Sequence, residues 1–301
     1  MAGRGHWLAA LLMLAAPAAS VSADGVPLPR MPLPGARDRL LVIAPHPDDE
    51  SLCCAGLLQQ AIAHGAAVGI VWITAGDGFE LDAVVVEHTI SPGSGTMQRL
   101  GKQRLREAHA AADQLGVPRA SQYVLGYPDR GVEELLGPYH DRSYRSPYTA
   151  STTVRYADAV SPDAQYNGAD LERDFEQVTA DFRPTLVLAP APQDLHPDHR
   201  ASGELALRVL GRRGDSVELR YWIIHARGWP RPLGLRQDLP LAPPDAAAEL
   251  QWESLPLRAD ERTRKLAAID EHRSQLQVMA PLMRAFVRSN EIFTAAVKLP
   301  P

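Results

Sequence analysis

The sequence predicts an α/β domain built on a doubly wound, mostly parallel sheet with helices on both faces. Three observations carry that prediction. Short apolar runs at Leu40 to Ala44, Ala67 to Thr74, Thr185 to Ala189 and Leu219 to His225 read as strands buried on both faces, which is the pattern of a parallel sheet. Segments with an apolar period near 3.6 residues stand between them. Strand alternating with helix then gives βαβ units with right-handed crossovers.

The elements follow in order. Gly25 to Arg37 holds Pro27, Pro29, Pro32 and Pro34 and reads as an extended lead-in. The first strand stops at the turn His46-Pro47-Asp48-Asp49, and a helix over Glu50 to His64 carries Ala55, Leu58 and Ile62 on one face before Gly65 ends it. The second strand runs into Ala75-Gly76-Asp77-Gly78, where glycine permits unusual backbone angles or close approach. A loop with Pro92, Gly93 and Gly95 precedes a helix near Met97 to Leu115, striped by Leu105, Ala108 and Ala112. Tyr123 to Leu125 is a short third strand that leads to Asp129.

From about 133 to 168 the periodicity fails, and the predicted architecture is one Rossmann-like domain with a long loop insertion there. Five of the eight tyrosines fall in it: Tyr139, Tyr144, Tyr148, Tyr156 and Tyr166. Two readings stand: an insertion that lines or covers a site and offers aromatic faces to a sugar, or a solvated one that packs its tyrosines on the surface. Helices over Ala169 to Phe182, Arg200 to Leu210 and Asp260 to Val278 complete the pattern, with a proline-rich loop from Gly228 to Pro244.

The N-terminus specifies an address. Arg4, the apolar run Trp7 to Ala16 and the small-x-small Val21-Ser22-Ala23 form a secretory signal peptide over residues 1–23, so residues 24–301 are expected as an exported domain, periplasmic or secreted. The apolar run is too short for a stable span, and no other stretch approaches the roughly 20 residues one needs, so no integral span is expected after cleavage. The chain has a formal net charge of −5 and no basic run, which argues against nucleic acid as a partner. Its only cysteines, Cys53 and Cys54, are adjacent on the first helix and are expected to point apart as buried small apolar residues, with no disulfide framework. Nothing in the sequence specifies an oligomeric state.

Chemistry concentrates at two strand-ending turns, His46-x-x-Asp49 after the first strand and His196-x-x-His199 after the fourth. Ligands of open α/β sheets bind outside the carboxyl ends of strands, at the switch point, so these turns converge if their strands are neighbours. Imidazole nitrogen and carboxylate oxygen together suit zinc or a similar divalent ion with one position left open. The competing reading of Asp48 and Asp49 is a helix cap, where acids are favoured by exposed N–H groups.

Ala44-Pro45-His46-Pro47-Asp48-Asp49-Glu50-Ser51-Leu52 and Asp194-Leu195-His196-Pro197-Asp198-His199-Arg200-Ala201 resemble the two signature motifs of the PIG-L/LmbE-like family of zinc-dependent N-deacetylases. Ile73-Thr74-Ala75-Gly76-Asp77-Gly78, Arg104-x-x-Glu107 and His272-x-Ser274-Gln275 extend the similarity over nearly all of the mature chain. The resemblance implies that His46, Asp49 and His199 bind zinc, or iron, and that Asp48 is the general base. It implies that His196 is a general acid or an oxyanion donor, and that Arg104 and Asp129 contact substrate. Arg104 reads equally as an i,i+3 partner of Glu107. Asp77 either steadies the metal site from behind or closes its own turn, and His225 is a core or rim residue.

The expected activity is removal of an N-acetyl group from an amino sugar or glycoconjugate. The alternatives are hydrolysis of another amide or ester on the same site, and a sugar-binding protein that does no chemistry.

Overall fold

The computed structural model describes residues 27–86, 91–213 and 216–299. The expected signal peptide lies outside the described residues. Five strands, β1 (Arg39–Ala44), β2 (Ala67–Thr74), β3 (Gln122–Tyr127), β4 (Leu186–Pro190) and β5 (Glu218–Trp222), pair in parallel in the order β3-β2-β1-β4-β5. A two-residue strand near the C-terminus, Val297–Lys298, closes the β5 edge antiparallel.

The apolar runs form strands because both of their faces are covered. Leu40 to Ala44 are fully buried, and β1 pairs with β2 from Leu40↔Val68 and with β4 from Leu40↔Leu186. Helices α1 (Asp49–Ala63) and α2 (Glu80–Val86) follow β1 and β2, and α3 (Ser94–Gln114) crosses to β3. The chain then returns through α4 (Val132–Leu136) and α5 (Gly168–Phe182) to β4, and through α6 (Pro197–Gly211) to β5. Outward winding over β1 to β3 and return winding over β4 and β5 put the switch point between β1 and β4. The two motif-bearing turns therefore share one crevice.

Several elements differ from the sequence reading. The stretch read as loop before the helix near Met97 contains α2. Two strands, β6 (Trp252–Pro256) and β7 (Asn290–Thr294), form an antiparallel ribbon beside the main sheet. The single late helix expected over Asp260 to Val278 is two, α7 (Ala259–Glu271) and α8 (Arg273–Met283), broken at His272. The break turns the His272 ring inward, where Nε2 lies 3.2 Å from Glu50 Oε1 and 3.1 Å from Ser51 Oγ.

Cys53 and Cys54, expected as separate thiols, are joined in a disulfide, and both are buried. The tyrosine-rich insertion is packed rather than solvated at its centre. Tyr144, Val154 and Tyr166 tie it together through backbone bonds, and Tyr156 and Tyr166 are buried in the core. No described helix is long and apolar enough to cross a membrane.

Candidate metal centre and active site

His46 follows β1 and His199 lies in the first turn of α6, and their imidazoles face each other at the switch point. His46 Nδ1 is 3.4 Å from Asp49 Oδ2, His199 Nε2 is 3.3 Å from the same oxygen, and the two nitrogens are 3.3 Å apart. Zinc bonds nitrogen and oxygen at roughly 2.0–2.1 Å, so two ligand atoms on a tetrahedral zinc stand about 3.3–3.4 Å apart. The triangle has that edge length, and its donor chemistry fits a divalent ion.

Carboxylates fix which nitrogen each ring presents. His46 Nε2 faces Asp129 Oδ1 at 3.2 Å and Asp198 Oδ2 at 3.3 Å, and His199 Nδ1 faces Asp194 Oδ2 at 3.1 Å. An imidazole whose outer N–H is held by a carboxylate offers its other nitrogen as a ligand. Asp198 also accepts from the backbone N–H of Arg130 at 2.6 Å and Val132 at 3.1 Å. Asp194 accepts from the backbone of His196, Ile224 and His225, so it fixes the β4 and β5 turns together with His199. Sequence reasoning missed both acids. Their signal was their place within the second motif, but that argument looked only for ligands.

Asp48 caps nothing. It stands at the N-cap position of α1 with φ 134° and makes no side-chain cap bond. A non-glycine residue held there is strained by about 1–3 kcal/mol, and such strain gathers at functional sites. The Gln275 amide on α8 instead donates to Asp48 Oδ2 and, at 2.9 Å, to the Pro47 carbonyl. Burial and the neighbouring Asp49 charge push the Asp48 carboxyl up to about 7, against the pull of Arg104. Burial also acts to raise Asp49, but His199 and His46 outweigh it and hold Asp49 well below the usual range.

Arg104 is buried and makes no ion pair with Glu107. Its guanidinium donates to the Gly76 carbonyl at 2.8 Å and the Pro47 carbonyl at 3.1 Å, and lies 3.8 Å from Asp48. Glu107 instead accepts from Ser274 at 2.6 Å. Asp129 accepts from Gly78 N–H at 2.8 Å while touching His46. Asp77 takes the Tyr156 hydroxyl at 2.5 Å and the Asp129 backbone N–H at 3.3 Å, so it supports the centre through Asp129.

His196, the N-cap of α6, accepts the Asp198 backbone N–H on Nδ1 at 3.3 Å. Burial, together with the neighbouring His46 and His199, holds its pKa far below that of free histidine. The ring is therefore neutral and carries its proton on Nε2. The His225 ring lies 4.6 Å from His199 and 5.2 Å from His196, centroid to centroid.

One cavity collects these residues. Its lining includes His46, Asp48, Asp49, Arg104, Asp129, His196 and His225, with an apolar side formed by Leu52, Phe79, Ile224, Met279, Leu282 and Met283. None of the five insertion tyrosines lines it. Tyr156 acts from behind, through Asp77.

The chain resembles enzymes named 1D-myo-inositol 2-acetamido-2-deoxy-α-D-glucopyranoside deacetylase. The one from Mycobacterium sp. strain KMS is 26% identical over 260 residues, covering 80% of this chain and 75% of that protein. The one from Mycolicibacterium smegmatis is 28% identical over 282 residues, covering 84% and 85%. The fold matches N,N'-diacetylchitobiose deacetylase from Pyrococcus horikoshii with a TM-score of 0.54 at 19% identity, over 87% of this chain and 84% of that one. It also matches a deacetylase of teicoplanin biosynthesis with a TM-score of 0.56 at 19% identity, over 86% and 98%. The family profile described as PIG-L, GlcNAc-PI de-N-acetylase, matches residues 41–210 and spans both strand-ending turns, and the chain belongs to that family.

Proposed function

We propose that the protein is an exported, zinc-dependent hydrolase that removes the N-acetyl group of an amino sugar or glycoconjugate. The observation that carries the reading is the His46–Asp49–His199 triangle, with the strained Asp48 beside it. Zinc, or iron with the same donors, would be held by His46 Nδ1, Asp49 and His199 Nε2. When bound, the ion supplies Lewis acidity for an amide carbonyl and for a water molecule.

The chain's own groups do the rest. Asp48, beside the triangle and held by Gln275, stands where it can take a proton from the attacking water. The Gln275 amide fixes the carboxylate on one oxygen. Neutral His196 offers an Nε2–H to the carbonyl oxygen as negative charge develops there, which favours the oxyanion-donor role over the acid role. The proton needed by the departing amine is then the one Asp48 has taken. Arg104, Asp129 and Arg130 line the polar side of the cavity and suit sugar hydroxyls. A pure binding protein has no use for an Asp48 held at φ 134°.

Export rests on Arg4, the Trp7 to Ala16 run and the Val21-Ser22-Ala23 site. Replacing Asp48 by Asn should lower acetate release from N-acetylglucosamine compounds by roughly 10²–10⁴-fold, with zinc content unchanged by elemental analysis. Near-normal release with zinc retained would remove Asp48 from the base role. N-terminal sequencing of the mature protein should begin after Ala23, and an intact Met1 in a cytoplasmic fraction would overturn export.

A further inference from the structure

Two cavities meet at the carboxyl edge of the sheet. The one lined by His46 and Asp49 of the donor triangle shares His196, Ile224, His225 and Leu282 with a second that opens beside it. Beyond those shared walls the second is apolar, lined by Leu195, Pro197, Ala226 and Trp229. Leu195 is 56% exposed, a large apolar side chain left in water on the rim.

The two sides of the donor triangle differ in chemistry. Asp129 and Arg130 follow β3, and Arg104 reaches in from α3, so the hydrogen-bonding groups stand toward one end of the sheet order. Ile224 to Ala226 and Trp229 follow β5, on the other side of β1 and β4. A secondary amide likewise has two sides, the amine that bears the sugar and the acyl group. With the sugar on the polar side, the acyl group points toward the β5 side.

We propose that the groove along Leu195, Ala226 and Trp229 is an acyl-chain site, and that the enzyme hydrolyses N-acyl amino sugars whose acyl group is longer than acetyl. This inference rests on the amidohydrolase reading above. The reaction balances as it does for acetyl: a water oxygen bonds to the acyl carbon, the C–N bond breaks, the fatty acid leaves as its carboxylate, and the amine departs with a proton.

The test is a series of N-acetyl-, N-butanoyl-, N-hexanoyl- and N-octanoylglucosamine given to the zinc-loaded full chain, with release of the free amine followed. Octyl N-acetylglucosaminide serves as the arm that places the same alkyl chain on the other end of the sugar. Each methylene entering the groove should raise kcat/KM by up to roughly fourfold, the fold-change equivalent of burying one CH2. Octanoate should also bind the protein more tightly than acetate in calorimetry. Leu195→Asp, an exposed change compatible with folding, should lower the octanoyl-to-acetyl ratio of kcat/KM by about tenfold, the loss expected from desolvating a carboxylate beside an alkyl chain.

A flat or falling series with acetyl turnover retained overturns the acyl site and leaves the deacetylase reading standing. A gain confined to the octyl glycoside gives the groove to the aglycone and also overturns it. No turnover of any member overturns both.

Discussion

His46 Nδ1 and His199 Nε2 stand 3.3 Å apart, and both lie within 3.4 Å of Asp49 Oδ2. Two imidazole nitrogens and a carboxylate oxygen brought this close need a cation between them. In the metal-free protein that cation is a proton.

The first prediction concerns this competition. Burial acts to lower the His199 pKa, but the Asp49 and Asp194 carboxylates outweigh it and raise the ring to about 9, and His46 is raised for the same reason by Asp129. A raised histidine pKa confers stability that is complete below about 6.5 and is lost as pH rises through the folded value. Metal must displace those protons, so zinc affinity should rise over the same window by up to about tenfold per pH unit for each proton released. Competition titration with a chelator of known affinity measures it, and an affinity independent of pH between 6.5 and 9 would contradict the assignment.

Asp194 and Asp198 set the second prediction. Each holds the outer nitrogen of one imidazole of the triangle without touching the nitrogen that faces Asp49. Asp194→Asn and Asp198→Asn should each weaken zinc binding by roughly 10–100-fold, the usual cost of removing a carboxylate behind a histidine ligand. Zinc affinity at fixed pH is the readout, and values equal to the unaltered protein would make both acids merely structural.

How much of this was legible in the sequence follows from what each signal depends on. Leu40 to Ala44, Ala67 to Thr74 and Thr185 to Ala189 were readable as strands because burial on both faces leaves a continuous apolar run. The two turns were readable because they sit at the ends of those strands, and the choice of His46, Asp49 and His199 among their residues came from the family resemblance. β6 and β7 were not, since a five-residue strand in a two-stranded ribbon alternates too briefly to stand out from loop. The break at His272 depends on Glu50 and Ser51, more than two hundred residues away, and no local pattern announces it. Tyr156 was one of five tyrosines read either as facing a sugar or as packed on the surface, yet its partner is Asp77, a tertiary contact that composition does not encode.

That contact gives the third prediction. Burial pushes the Asp77 carboxyl up to about 7, although the Tyr156 hydroxyl pulls the other way. A raised carboxyl pKa contributes stability that is present below the unfolded value near 3.9 and is lost as pH rises toward 7. Asp77→Asn keeps an oxygen acceptor for Tyr156 without the charge. It should therefore gain stability relative to the unaltered protein as pH rises from about 4 to 7. Urea midpoints across that range test the sign, and a difference constant with pH would refute it.

Gln275 gives the fourth. Its amide N–H is the contact that turns Asp48 away from capping α1. Gln275→Leu should lower kcat by roughly tenfold to a hundredfold, the scale of loss for a misplaced catalytic group, with KM little changed. An equal rise in KM with kcat intact would move Gln275 from positioning the base to binding substrate.

The last prediction joins a glycine to an arginine. Gly76 sits at φ +66° after β2, and a Cβ built on it would collide with the Arg104 guanidinium, which bonds the Gly76 carbonyl at 2.8 Å. Gly76→Ala therefore carries two costs. The left-handed backbone costs an alanine roughly 1–2 kcal/mol, and the guanidinium must leave its place beside Asp48. Activity should fall by an amount close to that of Arg104→Ala, while the double variant should fall little further, because both changes remove the same group from the same place. Strict additivity of the two losses, measured as kcat/KM in a double-mutant cycle, would show that Gly76 acts on the turn alone and that the approach of Arg104 to Asp48 does not depend on it.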